Sequence, residues 1–131
     1  MTKILKCTIL FLVAAHTAGA KLLVRVDEPT RAAKKILMKV SLKNTFGENV
    51  DSARATLFLF NDQDKMVGQS TQWIIGGTKD KPALAPNASA TFNFVIPSDK
   101  PFTKTKLIFN RIILEGGKQV DPAKNFEIKK D

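Results

Sequence analysis

The chain has 131 residues, with 21 Lys and Arg against 12 Asp and Glu for a formal net charge of +9, one Cys, one His and no Tyr. That length suits a single domain with its own core. Cys7 and His16 both fall within the first twenty residues. If that segment is removed, no thiol or imidazole remains, which excludes Ser-His and Cys-His nucleophile pairs and the usual zinc and copper sites.

Removal is what the N-terminus predicts. Lys3 and Lys6 precede the apolar run Cys7 to Ala15, and Ala18-Gly19-Ala20 follows it. A basic stretch, a short apolar stretch and an A-x-A site are the pattern of a secretory signal peptide. The expected division is therefore a signal peptide over residues 1–20 and one domain over residues 21–131, secreted or periplasmic. Losing Lys3 and Lys6 lowers the net charge from +9 to +7. No later apolar run approaches the ~20 residues of a membrane-spanning helix, so the mature form is expected to carry no transmembrane segment. Lacking cysteine, the domain must rely on apolar packing instead of disulfides.

From Lys21 onward the hydrophobic period is mostly two. Lys21–Val26 is a short strand candidate, and Thr30–Lys35 is read as one helical turn. Lys35–Lys43 sets Ile36, Met38, Val40 and Leu42 against Leu37, Lys39, Ser41 and Lys43, as in a half-buried strand. A turn spans Asn44 to Asn49. Ala53–Phe60 is apolar on both faces, which places it centrally in its sheet. The turn cluster Asn61-Asp62-Gln63-Asp64 leads to a strand over Met66–Ile75, stopped by Gly76-Gly77.

After the Pro86-Asn87 turn, Ser89–Ile96 alternates again, with Ala90, Phe92, Phe94 and Ile96 on one side. Pro97-Ser98-Asp99 turns the chain into Lys106–Leu114, and Gly116-Gly117 reads as a two-residue hairpin. Phe126 and Ile128 mark a closing strand. About seven short strands at this turn spacing predict an all-β fold, a single antiparallel immunoglobulin-like β-sandwich. Its expected core is Ile36, Met38, Val40, Leu42, Leu57, Leu59, Phe92, Phe94, Ile96, Phe109 and Phe126.

Three segments resemble a known family in order. Leu57-Phe58-Leu59-Phe60-Asn61 is similar to the strand ending Phe-x-Leu-Tyr-Asp in bacterial extracellular domains of the FxLYD type, with Leu57, Leu59, Phe60 and Asn61 at the corresponding positions. Lys39 to Asn44 resembles the strand ending in Asn before it. Leu84-Ala85-Pro86-Asn87 with Ser89-Ala90-Thr91-Phe92 resembles the segment after it. The resemblance runs over about residues 39–96. It implies an immunoglobulin-like module outside the cytoplasm with no catalytic residues to carry over.

Few side chains invite chemistry. Asp62-x-Asp64 resembles the opening of a calcium loop, but Lys65 and Met66 follow and no downstream acid completes it. A backbone turn is the reading taken. Met38 and Met66, the mature thioethers, suggest no metal site. Asn87-Ala88-Ser89 fits a glycosylation acceptor, and a Pro-Asn turn fits it better. Trp73 is read as a buried sandwich residue, with an exposed stacking anchor as the alternative. The lysines, among them Lys34, Lys35, Lys79, Lys81, Lys100, Lys104, Lys106, Lys124, Lys129 and Lys130, are read as scattered, though one face of them would attract polyanions. No catalytic, cofactor-binding or metal-binding residue is expected.

The function expected is a non-enzymatic binding or structural module. Its partner would be a protein or glycan outside the cytoplasm, met by surface contact or edge-strand addition, with weak electrostatic affinity for anionic polymers. The alternative is a small carboxylate-based hydrolase using acids such as Asp62, Asp64 or Glu115.

Overall fold

In the computed structural model, residues 20–77 and 82–129 are described. The expected signal peptide therefore lies outside the described residues except for Ala20, as do Lys79, Lys81 and Lys130. In chain order the strands are β1 (Leu22–Val26), β2 (Thr30–Ala32), β3 (Lys35–Asn44), β4 (Val50–Phe60), β5 (Met66–Ile75), β6 (Ser89–Pro97), β7 (Lys104–Leu114), β8 (Gln119–Val120) and β9 (Phe126–Lys129). Every run expected to be a strand is one, and β2 and β8 are short additions.

Two sheets form. In the first, β3 pairs with β6 along one edge, and with β1 and then β2 along the other, while β9 lies outside β1. The second runs β5-β4-β7-β8. β1, β3 and β6 thus face β4 and β7 with their flanking partners, which is the immunoglobulin-like arrangement. One ladder departs from the expected antiparallel pattern: β9 runs parallel to β1, with Leu22 opposite Phe126 and Val24 opposite Ile128.

The alternation of β3 is realised residue by residue. Ile36, Met38, Val40 and Leu42 are buried, and Lys35, Lys39 and Lys43 are exposed. β4 is central, between β5 and β7, as its two apolar faces predict. Of the expected core, Phe92 and Phe126 are only half-buried, although they pack against it. Phe92 stands on the outer strand β6 and Phe126 on the outer strand β9, so each ring is covered from fewer sides.

A buried asparagine ties two loops together. Asn44 ends β3 with no exposed surface. Its amide nitrogen donates to the carbonyls of Glu48 (2.9 Å) and Leu84 (2.8 Å), and its side-chain oxygen accepts from the Phe46 N–H (2.8 Å). Such saturation is what a polar group needs to remain in a core.

Two local expectations are corrected. Thr30–Lys35 is not a helical turn: Thr30–Ala32 pairs with Leu37–Lys35, and Ala33-Lys34 forms the hairpin turn, Ala33 at φ 56°. Ala and Lys favour helix locally, but pairing with an already buried strand overrides that preference. The Gly116-Gly117 hairpin is present but has three loop residues, because the Leu114 N–H bonds to the Lys118 carbonyl (2.7 Å) around Glu115–Gly117. Both glycines take positive φ, which this turn requires.

Candidate binding cleft

The chain after β8 does not continue along β7. At Asp121 a tight turn intervenes: its carboxylate accepts from the Ala123 N–H (3.0 Å), and its carbonyl accepts from the Lys124 N–H (3.2 Å) and the Asn125 side-chain amide (2.7 Å). Pro122 sits inside this turn, where a donor-free residue is tolerated. The Asn125 carbonyl then accepts from the Leu22 N–H (3.0 Å), which delivers the chain to the first sheet as β9. As a result β8 covers only Ile112 and Ile113 of β7. Among the described residues no strand pairs with the outer edge of β7 from Lys104 to Phe109.

Between that edge and β9 the sandwich is open. The cleft there has a volume of about 1210 Å³. Met38, Leu57 and Leu107, all core residues, form its floor, and Val26, Phe102 and Phe126 form its apolar walls. Asp27, Glu28 and Lys129 from the side of the first sheet and Lys106 from β7 supply exposed charges at its rim. Arg31 fixes the Phe102 loop by donating to the carbonyls of Ser98 (2.9 Å) and Lys100 (2.6 Å), with its guanidinium 6.0 Å from the Phe102 ring centre. Phe126, which lines the cleft, packs on the core ring of Phe109, centres 4.8 Å apart. An open trough larger than the usual ~300–1,000 Å³ small-molecule pocket, beside unpaired backbone, suits an extended chain.

The acids weighed for hydrolysis are not brought together. Asp62 and Asp64 lie in the β4–β5 hairpin, where the Asn61 side-chain oxygen accepts from the Gln63 and Lys65 N–H groups and Asp64 pairs with Lys104. Glu115 lies at the opposite end of the second sheet, accepting from the Asn49 N–H (3.2 Å). A strand of this length separates the two ends by about 30 Å. Met38 is in the core, and Met66 is half exposed on the second sheet.

Trp73 corrects the core reading. It stands opposite Arg54, whose neighbours Ala53 and Ala55 point inward, so the indole is on the outer face of the second sheet. It is half-buried there, packed on Gly77, where an added Cβ would come within 2.7 Å of the Trp73 Cβ. The basic residues form no single dense patch. Arg25, Lys35, Lys39, Lys43 and Lys129 fall on the outer face of the first sheet, Arg54, Lys104, Lys106 and Arg111 on that of the second. A shallower depression of about 480 Å³ on the first sheet is ringed by Arg25, Lys43, Lys129, Ser41, Ser89 and Thr91. Asn87 is exposed in its turn at φ 65°, and its N–H donates to the Asn44 carbonyl (2.7 Å).

Sequence reading missed the cleft, because its walls come from β1, β7 and β9, which are remote in the chain. It placed Leu57 and Leu59 in the core, as found, but drew no surface from the alternating Phe58 and Phe60, because both faces of the run are apolar.

No protein-family model and no curated protein matches the sequence. Solved structures do share the fold. A Bordetella pertussis protein described as ApaA superposes with a TM-score of 0.57 at 15% identity, covering 76% of this chain and 84% of its own. IrmA from Escherichia coli superposes with a TM-score of 0.57 at 13% identity, covering 85% and 92%. At these identities the likeness is one of fold: the chain is an all-β sandwich similar to these two.

Proposed function

We propose that this protein is an exported, non-enzymatic binding module that takes up an extended segment of a polypeptide partner at the open edge of β7. The observation that carries this reading is the unpaired edge from Lys104 to Phe109 lying against an apolar trough. A strand added there would satisfy backbone donors and acceptors that now face water, and its alternate side chains would drop onto Met38, Leu57 and Leu107. Kinship with FxLYD-type domains belongs to the same proposal. Leu57 and Leu59 in the core and Asn61 capping the hairpin give its motif positions structural roles.

The test uses a library of eight-residue peptides with apolar residues at alternate positions, presented to the mature protein. Binding of a library member should be lost when its backbone amides are N-methylated, because the ladder needs those donors. Equal binding of the methylated peptide would rule out strand addition. Export is tested by intact mass of protein recovered outside the cytoplasm: the expected chain begins at Lys21, and one retaining Cys7 would contradict it.

A further inference from the structure

The outer face of the second sheet combines aromatic rings and cations in register. β4 turns Arg54, Thr56, Phe58 and Phe60 to the outer face, because Ala53, Ala55, Leu57 and Leu59 point into the core; on that face Thr56 is buried under its neighbours. Phe60 stands beside Lys104, Phe58 beside Lys106, and Arg54 beside Arg111. On the other side Met66, half exposed, flanks Phe60, and Trp73 flanks Arg54. The two phenyl rings are half-buried with centres 6.1 Å apart, close to the ~6.7 Å two-residue repeat of a strand.

The centre of the face is polar and fixed. Thr56 Oγ1 is 2.7 Å from Thr71 Oγ1 and donates to Asn110 Oδ1 at 3.0 Å. A hydroxyl has one proton, so Thr71 is the donor to Thr56. With its oxygen engaged, Asn110 keeps its amide N–H groups for an outside acceptor.

Apolar coverage of this kind invites a partner, and the charge says which kind. A second copy docking face to face would set Arg54, Lys106 and Arg111 against the same cations, which disfavours self-association. Among the described residues, Asp51 lies at the far end of β4 from Phe58 and Phe60, Asp62 and Asp64 lie in the β4–β5 hairpin, and Asp64 is paired with Lys104. The occupant is therefore anionic, extended and able to stack on rings. We propose that this face binds single-stranded nucleic acid, with bases on Phe58 and Phe60 and phosphates along Lys104, Lys106, Arg54 and Arg111. The proposal builds on the anionic affinity expected of so basic a chain; it shares Lys104 and Lys106 with the β7 edge but uses the outer face of the sheet instead of the cleft.

The probe is a fluorescein-labelled oligothymidylate of twelve nucleotides, followed by anisotropy from 50 to 200 mM salt. Phe58→Leu and Phe60→Leu keep apolar bulk but remove the ring, and each should weaken binding by about fivefold or more. Lys106→Ala and Arg111→Gln should each lower the slope of log affinity against log salt by about 0.7. Lys39→Ala with Lys43→Ala, on the opposite sheet, should change affinity less than either ring variant. Thermal unfolding confirms that each variant is folded.

Affinity unchanged by the ring variants overturns the proposal, as does a larger loss from the Lys39 and Lys43 pair. So does equal binding of duplex DNA or heparin, which would leave only counterion release. A failure to bind oligothymidylate at 50 mM salt overturns it while leaving the β7 cleft reading intact, since peptides are the probe there.

Discussion

At the scale of single residues, Asn44 does more for this fold than its size suggests. Its side chain satisfies two carbonyls and one N–H from three different points of the chain, without exposure to water. Asn44→Ala leaves the Phe46 N–H and the Glu48 carbonyl without that partner, while the Leu84 carbonyl keeps the Val50 N–H (2.9 Å). Stranded buried polar groups cost about 1–3 kcal/mol each, so a loss of about 2 kcal/mol or more is expected from urea unfolding. A loss below ~1 kcal/mol would mean that water reaches these groups. The surface ion pairs Lys118–Glu48 and Lys21–Glu127 are exposed and belong to the class worth about 0–1 kcal/mol.

At the scale of elements, the strands were legible where one face is polar. β3 and β6 declared their inward sides, because Lys39, Lys43, Thr91 and Asn93 alternate with residues that must be buried. β4 was read as central with Leu57 and Leu59 inward, as found, although Phe58 and Phe60 on its outer face are as apolar. β2 was illegible for another reason. Thr30-Arg31-Ala32 has no apolar face and exists as a strand because β3 offers it an edge. Its turn holds Ala33 at positive φ, which costs a non-glycine residue ~1–2 kcal/mol. Ala33→Gly removes that strain and adds ~0.4–1 kcal/mol of unfolded-state entropy. The expected net is a gain of about 0.5–1 kcal/mol, read as a raised thermal midpoint; a lowered midpoint would contradict the left-handed turn.

For the whole molecule, the question is why the described residues leave one side of the sandwich open. The Asp121–Asn125 turn moves the last strand from β7 to β1, so β9 completes the first sheet and the second sheet keeps an edge. No local pattern announced this. Phe126 and Ile128 read equally well as a partner of β7 or of β1, and only the three-dimensional course of the turn decides between them. The opposite seam, between β5 and β6, is held shut by Gly68, packed near Leu59 and Ile96, and by the Ser98 hydroxyl donating to the Val67 carbonyl (3.0 Å). The asymmetry between a sealed seam and an open one is the ground for proposing β7 as the edge that a partner strand would join.

Amide hydrogen exchange of the mature protein, with and without the tightest library peptide at about ten times its Kd, tests that directly. Strand addition should slow exchange across Lys104–Phe109 by about tenfold, leaving β5 and β6 unchanged. Protection confined to β5 or β6, or absent from Lys104–Phe109 while the peptide is bound, would contradict it.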